Sequence, residues 1–384
     1  MSTYSITNAQ LKFTLTETMY CMDRLNLLVN VDTTHADYDH VNMMWADEQN
    51  KLINIKKQAN KDGDLKVIYA KKEHGVGRLY TKPYSCHQNV YGPLRRILID
   101  GNETSIDIKN AHATILRQLL KRYVKDKVYV NVINYVKNRD EIQKTLMVMY
   151  EVSKTEIKKL FISLSNGGGF KTWAKKNNVK LGPTPFINEY QAELTEISTT
   201  TAPKYFPNYA ILQKIAFEKR EPGDDDDKVR RCAFALYLTT EECSIMMSLC
   251  KCLKAKSDEF KLTSIIHDEV LFKGDVVSKF NDLIDDVNSW IKDETGFRVN
   301  FDCELVSPTD EDIAFYESHL PFMKKTEKKV KKVEHSQPTE NSETIVRRDD
   351  VHANNWLTQF KNVSISTMKT KVCGQAMIVK CYEL

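Results

Sequence analysis

Ile265-Ile266-His267-Asp268-Glu269-Val270 is the stretch on which the reading of the fold turns. Two acidic residues sit at a tight turn between two apolar runs, so Leu262 to Phe272 is predicted as two strands around His267-Asp268. A turn places carboxylates where a cation can reach them, and the flanking strands hold them rigidly. A surface turn that happens to be acidic fits the same pattern, so the rest of the chain has to decide.

Upstream, Ser105-Ile106-Asp107-Ile108-Lys109-Asn110-Ala111-His112 puts an aspartate inside an apolar strand that feeds a helix from Ala111 to Val124. A lone carboxylate is costly to bury, so Asp107 needs a partner or a metal. A helix cap or an ordinary ion pair would serve as well. Between these two segments, Ser153-Lys154-Thr155-Glu156 has the form of a capping box. The helix it starts is predicted to stop at Gly167-Gly168-Gly169. Lys154, Lys158 and Ile162 share one face of that helix. Two ammonium groups so placed suit a triphosphate, as they suit a solvated surface. Nearer the N-terminus, Gly77-Arg78-Leu79 is followed by Gln88-Asn89 and Arg95-Arg96. Guanidinium and amide groups in a loop match phosphates and base edges, or a basic loop with no ligand.

Elsewhere, Met43 to Ala59 reads as a helix with a basic end, and Leu65 to Ala70 as a strand after the turn at Lys61 to Asp64. Residues 74–96 read as a loop, and Ile97 to Ile99 and Thr104 to Ile108 as strands around Asp100-Gly101. Glu218 to Lys228 is a predicted surface loop and Arg231 to Leu253 a helix. Phe280, Leu283, Ile284, Val287 and Ile291 form one helical face. Val299, Phe301, Cys303 and Leu305 alternate as a half-buried strand. Lys324 to Lys332 opens a charged linker, and residues 350–384 receive no assignment.

Composition sets the outer bounds. The 384 residues are 41% hydrophobic, enough for two or three domains with a real core. A net charge of +4 does not by itself select a polyanionic partner. Nine scattered cysteines show no C-x-x-C pair, which argues against a zinc site or a disulfide framework. No apolar run approaches the roughly 20 residues of a membrane span. The expectation is an intracellular soluble protein with no membrane partner, in the cytoplasm or the nucleus.

The four motif segments occur in the order of the family A DNA polymerase motifs, and residues 65–306 resemble that family. Gly77-Arg78-Leu79 through Gln88-Asn89 resembles its primer–template motif, and Asp107 with the segment after it resembles motif A. Lys158 with Asn166-Gly167 resembles motif B, and His267-Asp268-Glu269-Val270 resembles motif C. Gly-Val-Gly-Arg-Leu-Tyr at 75–80 and Ile-Asp-Ile-Lys-Asn-Ala-His at 106–112 are similar to the compact polymerases of virophages and Polinton-like elements.

The resemblance implies an α+β right-hand polymerase with an antiparallel palm sheet, helical fingers and a reduced thumb. Its palm would be residues 97–116 and 230–306, its fingers and an insertion 117–229, and its N-terminal, thumb-like region 1–96. A charged linker at 307–349 and an appendix at 350–384 would follow. It implies two Mg²⁺ ions, or Mn²⁺ in their place, on Asp107 and Asp268, with Glu269 beside them. Lys158, with Lys154, would hold the incoming phosphates; His112, Ile162 and Asn166 would line the nucleotide; Arg78, Gln88, Asn89 and His267 would meet DNA. The partners would be a DNA primer–template, dNTPs and a separate replicative helicase, because the chain ends before any Walker A motif. Three departures bear on sugar selection. His112 replaces the family's glutamate, Asn166 its tyrosine, and its palm-helix glutamine is not evident near Thr239 to Glu242. A primase or RNA polymerase on the same fold and a non-catalytic nucleic-acid-binding relic are the competing readings.

Overall fold

The computed structural model describes residues 12–32, 43–221, 223, 225–322, 370–372 and 375–377. Strand β1 (Lys12–Thr18) turns Lys12, Thr14 and Thr16 to solvent and Glu17 inward, the period-two alternation of a sheet with one wet face. Helices α1 (Met22–Leu28) and α2 (Met43–Gln58) follow, then β2 (Asp64–Lys71) and β3 (Leu79–Lys82). The three strands pair antiparallel in the order β1-β2-β3.

Helix α3 (Gly92–Ile99) corrects two expectations, since it replaces part of the loop at 74–96 and the strand at Ile97 to Ile99. Pro93 at its first turn needs no amide partner there. Leu94, Ile97 and Leu98, at helical spacing, are fully buried, each contributing about 1.5–3 kcal/mol. The chain leaves the helix at Asp100, in the left-handed region at φ 47°, and enters β4 (Glu103–Ile108).

A helical block then runs α4 (Ala111–Tyr123), α5 (Val130–Tyr150), α6 (Lys154–Ser165), α7 (Phe170–Lys176) and α8 (Pro185–Glu196). A π-turn at Ile197–Thr201 leads through α9 (Ala202–Tyr205) and α10 (Tyr209–Glu218) to the long α11 (Asp226–Lys256). The Asp225 side chain caps α11 by accepting from the Lys228 amide, so the expected loop at Glu218 to Lys228 is short. Strands β5 (Leu262–Ile266) and β6 (Glu269–Lys273) form the anticipated hairpin. The apolar face from Phe280 to Ile291 is carried by two helices, α12 (Val277–Asp282) and α13 (Ile284–Thr295), broken at Leu283. Strand β7 (Phe301–Leu305) precedes α14 (Asp310–Glu317).

The second sheet is antiparallel in the order β5-β6-β4-β7, with β4 flanked on both sides. Helix α11 packs against α4 and α13, and β1 packs against β5, so one continuous hydrophobic core joins both sheets to the helices. Residues 307–322, expected in the charged linker, are folded instead. Helix α14 starts with a capping box at Thr309 and Asp312, and Asp312 takes both arms of the Arg96 guanidinium at 2.6 and 2.7 Å. Lys324 to Lys332 lies outside the described residues. In the unassigned segment two short strands, β8 (Thr370–Val372) and β9 (Gln375–Met377), pair antiparallel.

Candidate catalytic carboxylate site

Register brings the acidic residues together. Asp107 on β4 stands opposite Glu269 on β6 and opposite Asp302 on β7, so three carboxylates form one row across the sheet. Ile266 pairs with Glu269, leaving His267-Asp268 as a two-residue turn. His267 takes φ 64°, in the left-handed region that side chains other than glycine enter at a cost. The Asp268 carbonyl accepts from the Ile108 amide at 3.1 Å, fixing the turn to the end of β4. The two aspartates, far apart in sequence, thus share one end of the sheet.

Their environment is short of positive charge. Burial pushes the Asp107 carboxyl well above the usual range, and Asp268, Glu269 and Asp302 push it further. Asp268 is raised first by burial and then by Glu242, with Arg78 pulling the other way. Neither aspartate forms an ion pair among the described residues. Their neighbours are better provided for. Glu269 accepts from Ser105 Oγ at 2.7 Å and from Arg95 at 3.3 Å, and Asp302 meets Lys109 at 2.6 Å. Among the described residues no three His, Cys, Asp or Glu side chains close into a metal cage. The donor set still fits a hard cation. Mg²⁺ is ordinarily held by one or two carboxylates together with substrate phosphates, and a repelling carboxylate pair gains most from it.

One residue of this site was not foreseen. Glu242 on α11 is fully buried and accepts from Arg78 Nε at 2.6 Å and Nη2 at 2.9 Å. His112 Nε2 lies 2.9 Å from the same Oε2, off the ideal hydrogen-bond line. Burial alone would raise Glu242, but His112 and Arg78 outweigh it and hold the carboxyl at about 2. A signal existed in the sequence. Leu238, Glu242, Ile245 and Met246 fall on one helical face, and all are buried, so Glu242 stands in an apolar stripe where a carboxylate needs partners. The His267 ring sits nearby, pushed down to about 4 by burial and then by Arg78.

Other candidates lie elsewhere. Gln88 and Asn89, expected to reach nucleic acid, point into the fold. Gln88 Nε2 donates to the carbonyls of Leu79 at 3.1 Å and Ile265 at 2.9 Å, bracing β3 against β5. Asn89 Nδ2 donates to Thr81 Oγ1 at 2.8 Å and to the Tyr84 carbonyl at 2.9 Å. Both amides are committed to the scaffold of the site. Lys154, Lys158 and Ile162 share the exposed face of α6, with exposed Asn166 just past its end, and the other face buries Ile157, Leu160, Phe161 and Leu164. Ser153 caps the helix as expected, but the Glu156 carboxylate goes to Lys159 at 2.7 Å. Helix α6 packs on α5, α7 and α8.

No family model matches the chain. Among curated proteins it is similar to "Putative helicase V13" of Sputnik virophage, with 20% identity over 246 residues. That match covers 62% of this chain and 29% of the virophage protein, so the chain spans less than a third of its relative. Among solved structures it overlays on the POL domain of Pol1 from M. smegmatis, in complex with DNA primer-template and dNTP. The TM-score is 0.40 at 10% identity, over 68% of this chain and 50% of that one. The reading of the site therefore rests on its own residues, within a fold of helices around antiparallel sheet.

Proposed function

We propose that this chain is a template-directed DNA polymerase that adds dNTPs to a primer 3′ end, in the replication of a virus or mobile element. The observation that carries the reading is the pair Asp107 and Asp268, brought to one end of a sheet, raised by burial and by neighbouring acids, and forming no ion pair among the described residues. Structural carboxylates are ordinarily paired when buried, so an unpaired couple is a reason to expect a metal-bound substrate.

On this reading the sheet β5-β6-β4-β7 with α4, α11 and α13 is the palm. Helices α5 to α8 are the fingers, and the N-terminal sheet with α2 replaces a full thumb. Two Mg²⁺ ions held by Asp107 and Asp268 would activate the primer 3′-oxygen and neutralise charge on the departing pyrophosphate. Lys158, assisted by Lys154, draws in the triphosphate from the exposed face of α6, with Ile162 and Asn166 beside it. Glu269, fixed by Ser105 and Arg95, stays next to the reacting groups and out of their way. Arg78 and His267 would face the primer terminus, and His112 would stand at the sugar.

RNA synthesis on the same scaffold is the second reading, favoured by His112, whose ring could either crowd or accept a 2′-hydroxyl. The virophage relative carries a helicase's name. A replicative helicase is proposed as a partner activity. The test is extension of a labelled primer on a DNA template by purified chain, with dNTPs or NTPs, with and without Mg²⁺. Templated, Mg²⁺-dependent elongation with dNTPs is the expected result. Elongation with NTPs in preference would transfer the assignment to RNA synthesis, and no elongation under any condition would end it.

A further inference from the structure

The two faces of the N-terminal sheet are differently occupied. Glu17, Tyr69 and Leu79 point inward and are buried, and this face packs toward β5, the strand that leads into the turn at His267-Asp268. Register sets the opposite face. Lys12, Ala70 and Tyr80 form one cross-strand row, Thr14, Ile68 and Lys82 the next, and Thr16 and Lys66 a third. Successive rows on one face of a sheet are about 7 Å apart, so each step along this face carries an exposed lysine. Thr14 and Thr16, also exposed, add hydroxyl donors beside two of them. Among the outward positions of the three strands the one acid is Asp64, at the end of the sheet, where it accepts from Thr18 Oγ1 at 2.7 Å. The Lys82 ammonium is pulled below its ordinary value by desolvation and then by Lys12, so the two cations feel each other. Aromatic surface lies among them. Tyr80 is 39% exposed with Lys72 Nζ over its ring at 4.1 Å, and Tyr84, two residues past Lys82, is 64% exposed.

We propose that the outer face of β1-β2-β3 is a docking surface for single-stranded DNA, with phosphates on Lys12, Lys66 and Lys82 and a base stacked on Tyr80. Lysines and hydroxyls hold a phosphate backbone whatever its sequence. An exposed ring offers a stacking partner to any base that is not already paired. A duplex keeps its bases stacked inside, so it meets the lysines and not the ring. The face stands on its own residues and goes beyond the polymerase reading; only the choice of DNA over RNA rests on that reading. It gives the chain a hold on a strand that is separate from the carboxylate row.

The experiment is anisotropy binding of a labelled, mixed-sequence single-stranded DNA oligonucleotide to the full chain, without Mg²⁺ or nucleotides, across a salt series. Wild type is set against the triple variant Lys12→Ala/Lys66→Ala/Lys82→Ala, and against Tyr80→Ala and Tyr80→Phe. A second triple, Lys137→Ala/Lys144→Ala/Lys292→Ala, removes as many exposed lysines from α5 and α13. The sheet triple should bind at least about tenfold more weakly at low salt, with a log–log salt slope shallower by about 2, at about 0.7 for each phosphate contact on a single strand. Tyr80→Ala should weaken binding about tenfold with the slope unchanged, and Tyr80→Phe should restore it. Should the sheet triple not fold, Lys66→Ala alone carries the test, with a slope shallower by about 0.7. No binding by wild type, or wild-type affinity and slope in the sheet triple, would overturn the inference. An equal loss in the second triple would reduce the effect to net charge and overturn it too. Equal affinity for a duplex of the same sequence, with Tyr80→Ala unchanged, would replace the single strand by a duplex, and tighter binding of the matching RNA would remove DNA. Primer extension is scored separately: its failure in wild type would end the polymerase reading and leave the binding result standing.

Discussion

Glu17 at one place in this fold, and Asp107 with Asp268 at another, are carboxylates that burial pushes upward. Glu17, on the inner face of β1, is fully buried and pushed up to about 7. It accepts from Tyr69 Oη at 2.5 Å, the His87 amide at 2.7 Å and Ser264 Oγ at 3.2 Å. Asp107 and Asp268 are raised as well, but they face other acids and carry no comparable set of donors. A raised carboxyl is therefore not enough to mark a site. Glu17 sits in a place built to hold it, bridging the N-terminal sheet to β5. The aspartates have no such set of side-chain donors, and that difference is the reason to propose a ligand for them.

The comparison breaks most visibly at the aspartates. Asp107→Asn or Asp268→Asn should lower primer extension by orders of magnitude, while the melting temperature in the absence of divalent metal holds or rises, because a repelling charge is gone. A melting temperature that drops in both variants would make these carboxylates structural, like Glu17. Glu17→Ala should do the reverse. Leaving Tyr69, Ser264 and the His87 amide without their acceptor should lower stability by about 1–3 kcal/mol or more, with little change in kcat of the folded protein. An unchanged urea midpoint would remove Glu17 from the scaffold.

The smallest effect sharpens the picture of that scaffold. His87 is fully buried, neither ring nitrogen has a hydrogen-bond partner although Nδ1 stands 3.8 Å from Glu17 Oε2, and burial, then Arg95, pushes it down to about 3. Folding keeps it neutral, so from 6.5 down to about 3 the unfolded chain binds the extra proton, and stability from this group rises with pH. Glu17 works in the opposite sense: from 4.5 to about 7 the folded chain holds the extra proton, and stability falls as pH rises. Between 4.5 and 6.5 the two slopes oppose each other. His87→Gln should remove the first and shift the slope toward falling stability with rising pH, read from urea midpoints across that window. A slope identical to wild type would show that His87 does not titrate with folding.

What could be read from the sequence follows from which forces are local. The hairpin around His267-Asp268 was legible because apolar alternation and a two-residue turn are short-range signals, and the same holds for Asp107 in its strand. Helix α3 was misread because Ile97-Leu98-Ile99 looks β-like in isolation, although Pro93 and the spacing of Leu94, Ile97 and Leu98 carried the helical signal. The inward turn of Gln88 and Asn89 was not legible. An amide in a loop has no periodicity, and only the arrival of Ile265 from far along the chain decides where it points. Glu242 was hidden for a related reason, since a glutamate next to Glu241 on a long helix reads as solvated until its apolar stripe is traced.

Asp312 does two jobs with one carboxylate. It closes the cap of α14 by accepting from the Thr309 amide at 2.9 Å, and it grips Arg96, two turns before β4 in the chain's path, at 2.6 and 2.7 Å. Phe315 on the same helix packs edge-on against Trp45 and Tyr91. This has a practical bearing on where the protein can be cut or joined. A fragment stopped after β7 would strip Arg96 of its counter-charge and uncover Trp45, loosening the helix that delivers the strand bearing Asp107. Tags, split points and fusion partners belong beyond residue 322, on the far side of this latch.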